Sequence, residues 1–441
     1  MKTSITSGSV TGKPAATKGR RAAAASLVGA VVDWYDYFLY GTASALIFGP
    51  LFFPGNDPVA SQLLAFATFA IGFFFRPIGS LVFGHFGDRI GRKKMLVLTL
   101  LIMGAASVLI GFLPTYQNIG VWAPILLIIL RAAQGFAVGG EWAGATLMAV
   151  ESAPEGKKTL YGSVVQSGAY VGILTANGAY YLTSTLITPD QAFLDWGWRI
   201  PFIASVIVIA IGFIIRRSVG ESEEFTTLQK SDDIRKVPFI AALKENPKSF
   251  FIVFGMRIGE NVANYIILTF AISYATKTLG VDKSISLTAI IATAIASLFA
   301  IPIIAKYADK YGPYKVYVFG AAAGVVLAFP FFWGLETRNV LIIILAVMVT
   351  LLAVEVTMAT VQQPIFTKLF SPEFRYSGAG FSYQITAAVG GGVAPLVATW
   401  LVSVGNGASY LAASYMAGVC GISLITTLAV RKRIHAGHAE G

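Results

Sequence analysis

Twelve stretches of this chain are apolar over about 18 residues or more: 22–48, 60–83, 95–113, 120–150, 159–182, 199–216, 248–276, 284–305, 315–335, 339–367, 377–403 and 408–430. A hydrocarbon core about 30 Å thick is crossed by a helix of ~20 such residues, and in lipid the backbone polar groups are satisfied only inside helices or closed barrels. The pattern therefore predicts an all-α membrane protein with twelve transmembrane helices. Residue usage agrees, because only 12% of the chain is charged, against about 25% in an average soluble domain.

The basic residues divide by side. If loops alternate across the membrane, 26 of the 33 Lys and Arg fall on one face, and only Arg199, Lys277, Lys283 and Arg338 on the other. The positive-inside rule then places both termini in the cytoplasm. The net charge of +11 is thus accounted for by orientation, and no nucleic-acid partner is expected. Residues 1–21 are polar and are not followed by a short apolar core with a small-residue cleavage site, so helix 1 is expected to remain uncleaved. A single cysteine, Cys420, excludes an internal disulfide, and His85, His435 and His438 have no second ligand at metal spacing. Neither a metal site nor a cofactor is expected.

The chain also repeats. GHFGDRIGRKK follows helix 2 and AKYADKYGPYK follows helix 8, so that Asp88 aligns with Asp309 and Gly91 with Gly312, both at an offset of 221 residues. Two homologous six-helix halves follow. The expected organisation is a tail (1–21), an N-terminal bundle (22–217), a cytoplasmic linker (218–247), a C-terminal bundle (248–430) and a second tail (431–441). Gly84, Asp88, Arg89, Gly91, Arg92 and Asp309 are read as a gating loop, with glycines allowing a tight turn and Asp88 pairing with cations or a helix N-terminus. The alternative is a basic turn that serves topology alone.

Ionisable residues inside hydrocarbon are costly and mark function. Asp33, Asp36, Tyr37 and Tyr40 share one face of helix 1; Arg131, Gln134, Val138, Glu141 and Trp142 share one of helix 4; Arg257, Glu260, Asn261 and Asn264 share one of helix 7. Helix 5 adds Gln166, Tyr170 and Asn177, helix 10 adds Glu355 and Gln362, and helix 11 adds Tyr383 and Gln384. Arg76 lies within helix 2. Bland alternatives stand beside each: a kink satisfied by Asp33 and Asp36, a structural ion pair of Arg131 with Glu141, local neutralisation of Arg257 by Glu260 at i,i+3, and a structural Arg76. Phe73, Phe74, Phe75, Trp196 and Trp198 read as lipid-facing or interfacial residues.

GHFGDRIGRKK, RAAQGFAVGGEWAGA in helix 4, WGWRIPF entering helix 6 and GESEEF after it resemble the metabolite:proton symporter branch of the major facilitator superfamily over essentially the whole chain. Within that branch GAVVDWYDYFLYG, MRIGENVANYI, VQQPIFTKLF and RYSGAGFSYQ look closest to bacterial shikimate transporters. The resemblance implies proton-coupled uptake by alternating access of two six-helix bundles.

Three intramembrane arginines suit an anionic substrate, since guanidinium binds carboxylate bidentately, while tyrosine, glutamine and asparagine read hydroxyls. The substrate-binding candidates are Arg257, Tyr37, Tyr40, Arg76, Gln134, Trp142, Gln166, Tyr170, Asn261, Gln362, Tyr383 and Gln384. Arg257 is the expected carboxylate partner, with Arg131 or Arg76 in reserve. Carrying an anion against a negative interior costs ~2.3 kcal/mol per 100 mV, so protons must accompany it. Asp33, Asp36, Glu141 and Glu260, with Arg131, are the proton-coupling candidates, Asp36 first and Glu141 next. A hydroxylated organic acid, shikimate above all, is the expected cargo; another organic acid or a zwitterion such as betaine is the alternative. The protein is expected to act as a monomer in the lipid bilayer. An intramembrane enzyme would need a nucleophile and base or clustered metal ligands at depth, and the helices hold no such set.

Overall fold

A computed structural model of the chain describes residues 13–90, 92–139, 158–218, 247–366, 369 and 375–431. Twelve long helices account for nearly all of them: α1 Lys13–Leu46, α2 Pro58–Ile90, α3 Arg92–Phe112, α4 Trp122–Gly139, α5 Lys158–Leu186, α6 Arg199–Ser218, α7 Pro247–Thr278, α8 Lys283–Tyr311, α9 Pro313–Glu336, α10 340–366, α11 375–404 and α12 Tyr410–Ala429. Among the described residues nine are long and apolar enough to cross a membrane, or ten when the bent pair ending in α6 is one span. The two helices outside that set are α1 and α5, both depleted of apolar character by the polar residues they carry. Each is shielded instead by protein: α1 packs on α2, α5, α6 and α7, and α5 on α1, α8 and α10.

Packing sorts the helices into two sets of six. In the first, α2 lies on α4, α3 on α4 and α6, and α1 on α5; in the second, α7 lies on α11 and α12, α9 on α10 and α12, and α8 on α10. The sets meet along α5 with α8 and α10, α2 with α11, and α1 with α7. Outward faces are apolar, as Leu98, Leu101, Leu109 and Phe112 on α3 and Ile207, Ile211 and Ile214 on α6 illustrate. Those faces are what lipid would cover.

The repeated motif is more helical than a glycine-rich loop suggests. α2 continues through Gly84 and Asp88 to Ile90 and α3 begins at Arg92; Gly91, between them, lies outside the described residues. In the second copy α8 ends at Tyr311, Gly312 adopts φ +95°, and Pro313 opens α9. Only glycine takes that backbone without strain, and proline fits the first helical turn because its missing N–H has no partner there.

Two aromatic expectations are corrected. Phe74 and Phe75 are exposed, but Phe73 is fully buried. Trp196 is exposed, whereas Trp198 is buried against Phe48, Phe52 and Phe202. Neighbours on a helix point about 100° apart, so a run of aromatics cannot share one environment.

Candidate functional site

The crossing of α2 and α4 sets the geometry. Gly72 and Gly79 on α2 face Gly135 and Gly139 on α4 so closely that a Cβ on Gly79, Gly135 or Gly139 would collide with the partner's backbone. Small residues permit this approach. It draws together the two arginines beside the contact, Arg76 and Arg131, both almost wholly buried.

They flank one ring. The Arg76 guanidinium carbon lies 4.7 Å from the Tyr37 ring centroid and 4.4 Å from that of Phe73. Arg131 lies 4.2 Å from the Tyr40 centroid and 5.4 Å from that of Tyr37. Tyr37 in turn contacts Phe69, Phe73 and, across the two halves, Tyr265 at 5.5 Å. Among the described residues neither arginine makes an ion pair, and Nε of Arg131 has no hydrogen-bond partner. Stacking on aromatic faces offsets part of the cost of burying these cations, and an anion would offset more.

A polar relay connects Arg131 to Asp36. Arg131 donates to Gln134 Oε1 (3.2 Å), and Gln134 Nε2 donates to Asp36 Oδ1 (3.1 Å) and to Ser107 Oγ (2.9 Å). Ser107 of α3 donates to the same carboxylate. A group that binds or loses charge at Arg131 is thereby linked to Asp36 through one amide. Asp33 lies one turn away on α1, half-buried. The Tyr40 hydroxyl donates to Thr68 (2.8 Å).

The second half holds its charge differently. Arg257 pairs with Glu260 (3.5 Å), donates to the Tyr383 carbonyl (2.8 Å) and lies 3.2 Å over the Tyr383 ring centroid; Asn261 donates to Glu260 (2.9 Å). The side-chain oxygens of Gln362 and Gln384 are buried with no hydrogen-bond partner. Such orphaned acceptors call for a ligand or water donor. Gln166 and Tyr170 reach neither arginine cluster; they contact Glu355 across the bundle interface.

The structure thus brings Arg76, Arg131, Gln134, Asp36, Tyr37 and Tyr40 together, and Arg257, Glu260, Asn261 and Tyr383 in a second cluster. Glu141 and Trp142 lie outside the described residues, as does Gly91; Asp88, Arg89 and Arg92 have no described side chains. Asp309 is half-buried at the α8–α9 turn. Sequence reasoning missed Ser107 and Tyr265. Ser107 is one of two hydroxyls, with Thr99, in an apolar run, and nothing in the sequence joins it to Asp36; Tyr265 lies at i+4 from Asn261, on a face already marked polar, and was legible.

Comparison with known proteins supplies the family. The model of the Major Facilitator Superfamily matches residues 26–363 and 249–440. The chain is 43% identical to the shikimate transporter of Escherichia coli over 94% of its own length and 95% of that protein's, and 34% identical to the proline/betaine transporter of the same organism over 94% and 84%. Its fold is similar to that of the xylose transporter XylE from E. coli in a partially occluded inward-open conformation, with a TM-score of 0.73 at 16% identity, covering 94% of this chain and 98% of that one. No enzyme chemistry is in view: the chain belongs to the Major Facilitator Superfamily.

Proposed function

We propose that this protein is an inner-membrane symporter that carries a small hydroxylated organic acid, shikimate in the first place, inward together with protons. The observation that carries the reading is the pair of buried guanidiniums, Arg76 and Arg131, that flank Tyr37 without an ion pair among the described residues, one relay step from Asp36. Two cations facing one aromatic ring suit a carboxylate laid beside it. Arg257 has Glu260 as its counter-ion already, so the carboxylate goes to Arg76 and Arg131 and not to Arg257.

The relay gives a coupling mechanism. When substrate occupies Arg131, the cation is neutralised and its field at Asp36 weakens, so that binding of the acid and of the proton support each other. Gln134 and Ser107 hold the carboxyl oriented in either state. Release of substrate restores the field and expels the proton. Two bundles, 22–217 and 248–430, alternate around this site as a monomer in the bilayer, with both termini cytoplasmic by the distribution of Lys and Arg. Tyr383, Asn261, Gln362 and Gln384 are the hydroxyl-reading side.

The similarity to the proline/betaine transporter keeps a zwitterionic cargo as the second reading, because a zwitterion also carries a carboxylate. A quaternary ammonium would seek an aromatic face, and the Tyr37 face is occupied by two cations that repel it. Uptake of a labelled panel (shikimate, a dicarboxylate, an aromatic acid and betaine) by proteoliposomes, with and without an inward proton gradient, tests the proposal. Gradient-dependent accumulation of shikimate is expected; accumulation of betaine alone, or uptake indifferent to the gradient, overturns it.

A further inference from the structure

Glu355 is buried at mid-length of α10, inside a widened π-helical turn, Leu352–Val356. Such turns are rare and recur at functional positions. Its partners belong to the other half: the Tyr170 hydroxyl donates to Oε2, and Gln166 Nε2 lies 3.5 Å from Oε1. Among the described residues no cation pairs with it. A buried carboxyl held by two neutral donors on a separate bundle is an expensive way to fill space.

The location explains the expense. Tyr170 lies 12 residues into α5, about 18 Å along it, and Glu355 lies 11 residues before the end of α10, about 17 Å, so the contact is near the membrane centre. From there the last segment of α10, Thr357–Phe366, packs on α5 down to the end that carries the α2–α3 and α8–α9 turns. The opposite end is joined separately, by Lys277 to Gln62 and by Lys283 to Asp190 (2.7 Å). Each end of the interface thus has its own cross-bundle bonds.

We propose that Glu355, with Tyr170 and Gln166, is a positioning group of the transport cycle: the bond that must part before the bundles open toward the end bearing the α2–α3 and α8–α9 turns. Once parted, the carboxylate meets water in the opened cavity and is solvated there, so a carboxyl is costly only in the closed arrangement. An apolar pair of the same shape would hold the seam with no such cost in the closed state and an added one in the open state. The polar contact therefore keeps the two arrangements close in free energy, which a cycling protein requires.

The inference rests on the transport reading for its meaning, but its test does not. Spin-label pairs at exposed positions, Lys94 with Lys310 at the turn-bearing end and Gln117 with Arg338 at the opposite end, report interbundle distances in the absence of substrate. Tyr170→Phe, which strands the buried Glu355 carboxyl in the closed arrangement, should raise the long-distance population of the first pair about tenfold and leave the second pair unchanged. Adding Glu355→Leu to it, which makes the contact an apolar pair, should return the first pair to the parent's population or below it. Distances in Tyr170→Phe identical to the parent, equal broadening at both ends, or a double variant as open as Tyr170→Phe each overturn the proposal. Failure of the parent to accumulate an organic acid would refute the transport reading while leaving these distances interpretable.

Discussion

The two halves place charge at matching positions and treat it in opposite ways. The 221-residue offset that aligns Asp88 with Asp309 also carries Asp36 to Arg257 and Gln134 to Glu355. In the first half the acid, Asp36, is reached from Arg131 through the Gln134 amide, and Arg131 keeps no direct counter-ion among the described residues. In the second half the base, Arg257, has its acid one turn away at Glu260. The two copies thus differ without a change of fold: one leaves its buried arginines without an ion pair among the described residues, and the other neutralises its own.

The largest effect should come from Asp36. Asp36→Asn is expected to abolish gradient-driven accumulation while leaving counterflow exchange, because the amide keeps the hydrogen bonds of Gln134 and Ser107 but carries no proton through the cycle. Glu260→Gln should retain accumulation within severalfold. Equal loss in both variants, measured in proteoliposomes with an imposed gradient, would erase the contrast between the halves.

Arginine truncation should separate them next. Charge-assisted hydrogen bonds contribute ~1.5–3 kcal/mol, so Arg76→Ala and Arg131→Ala should weaken shikimate binding roughly 10- to 150-fold while the methyl ester, which lacks the anion, binds both variants and parent alike. Arg257→Ala should instead act on stability, since it strands a buried Glu260 at a cost of about 3–5 kcal/mol. Adding Glu260→Gln should restore most of the lost melting temperature. If Arg257→Ala loses acid but not ester, the carboxylate partner is Arg257.

How much of this was legible follows from what each level of structure needs. Twelve helices, their pairing into two sets and the polar faces of α1, α4 and α7 are periodic features, and lipid enforces them residue by residue. The relay through Ser107 is a contact between three helices, and nothing within α3 announces it. Arg257 and Glu260 could be read as a pair from their i,i+3 spacing, yet only geometry showed that Arg131 has no ion pair among the described residues. The approach of α2 to α4 was hidden because glycines mark a close contact without naming its partner. Trp198 and Phe73 were misplaced because a run of aromatics was treated as one environment.

The α2–α4 contact offers a subtler break. A Cβ on Gly72 would lie 2.5 Å from Arg131 Nε, so Gly72→Ala must displace the guanidinium from Tyr40 and Gln134. Roughly tenfold weaker binding of the acid is expected, with the ester unaffected, and the loss should be smaller than in Arg131→Ala because the charge stays. Gly255→Ala in the second half meets Thr426 and should leave affinity alone. Equal affinity loss in both glycine variants would point to general helix disruption.

The smallest effect, and the sharpest, should come from lysine at the two arginines. A lysine keeps the positive charge but gives up the planar fork and its stacking. At position 257 the requirement is a cation for Glu260, one turn along the same helix, and an ammonium on a flexible stem meets it; the Tyr383 stacking contact is lost. Arg257→Lys should therefore change initial uptake by no more than about fivefold, the scale of a contact contributing ~0.5–1 kcal/mol. Position 131 has more to lose in affinity, because on the proposed function its guanidinium holds the cargo's carboxylate while it stacks on Tyr40 and donates to Gln134. There lysine should recover only part of the affinity lost in Arg131→Ala. Measured as affinity for the acid in the two variants, a larger penalty at 257 than at 131 would reverse the roles of the two halves.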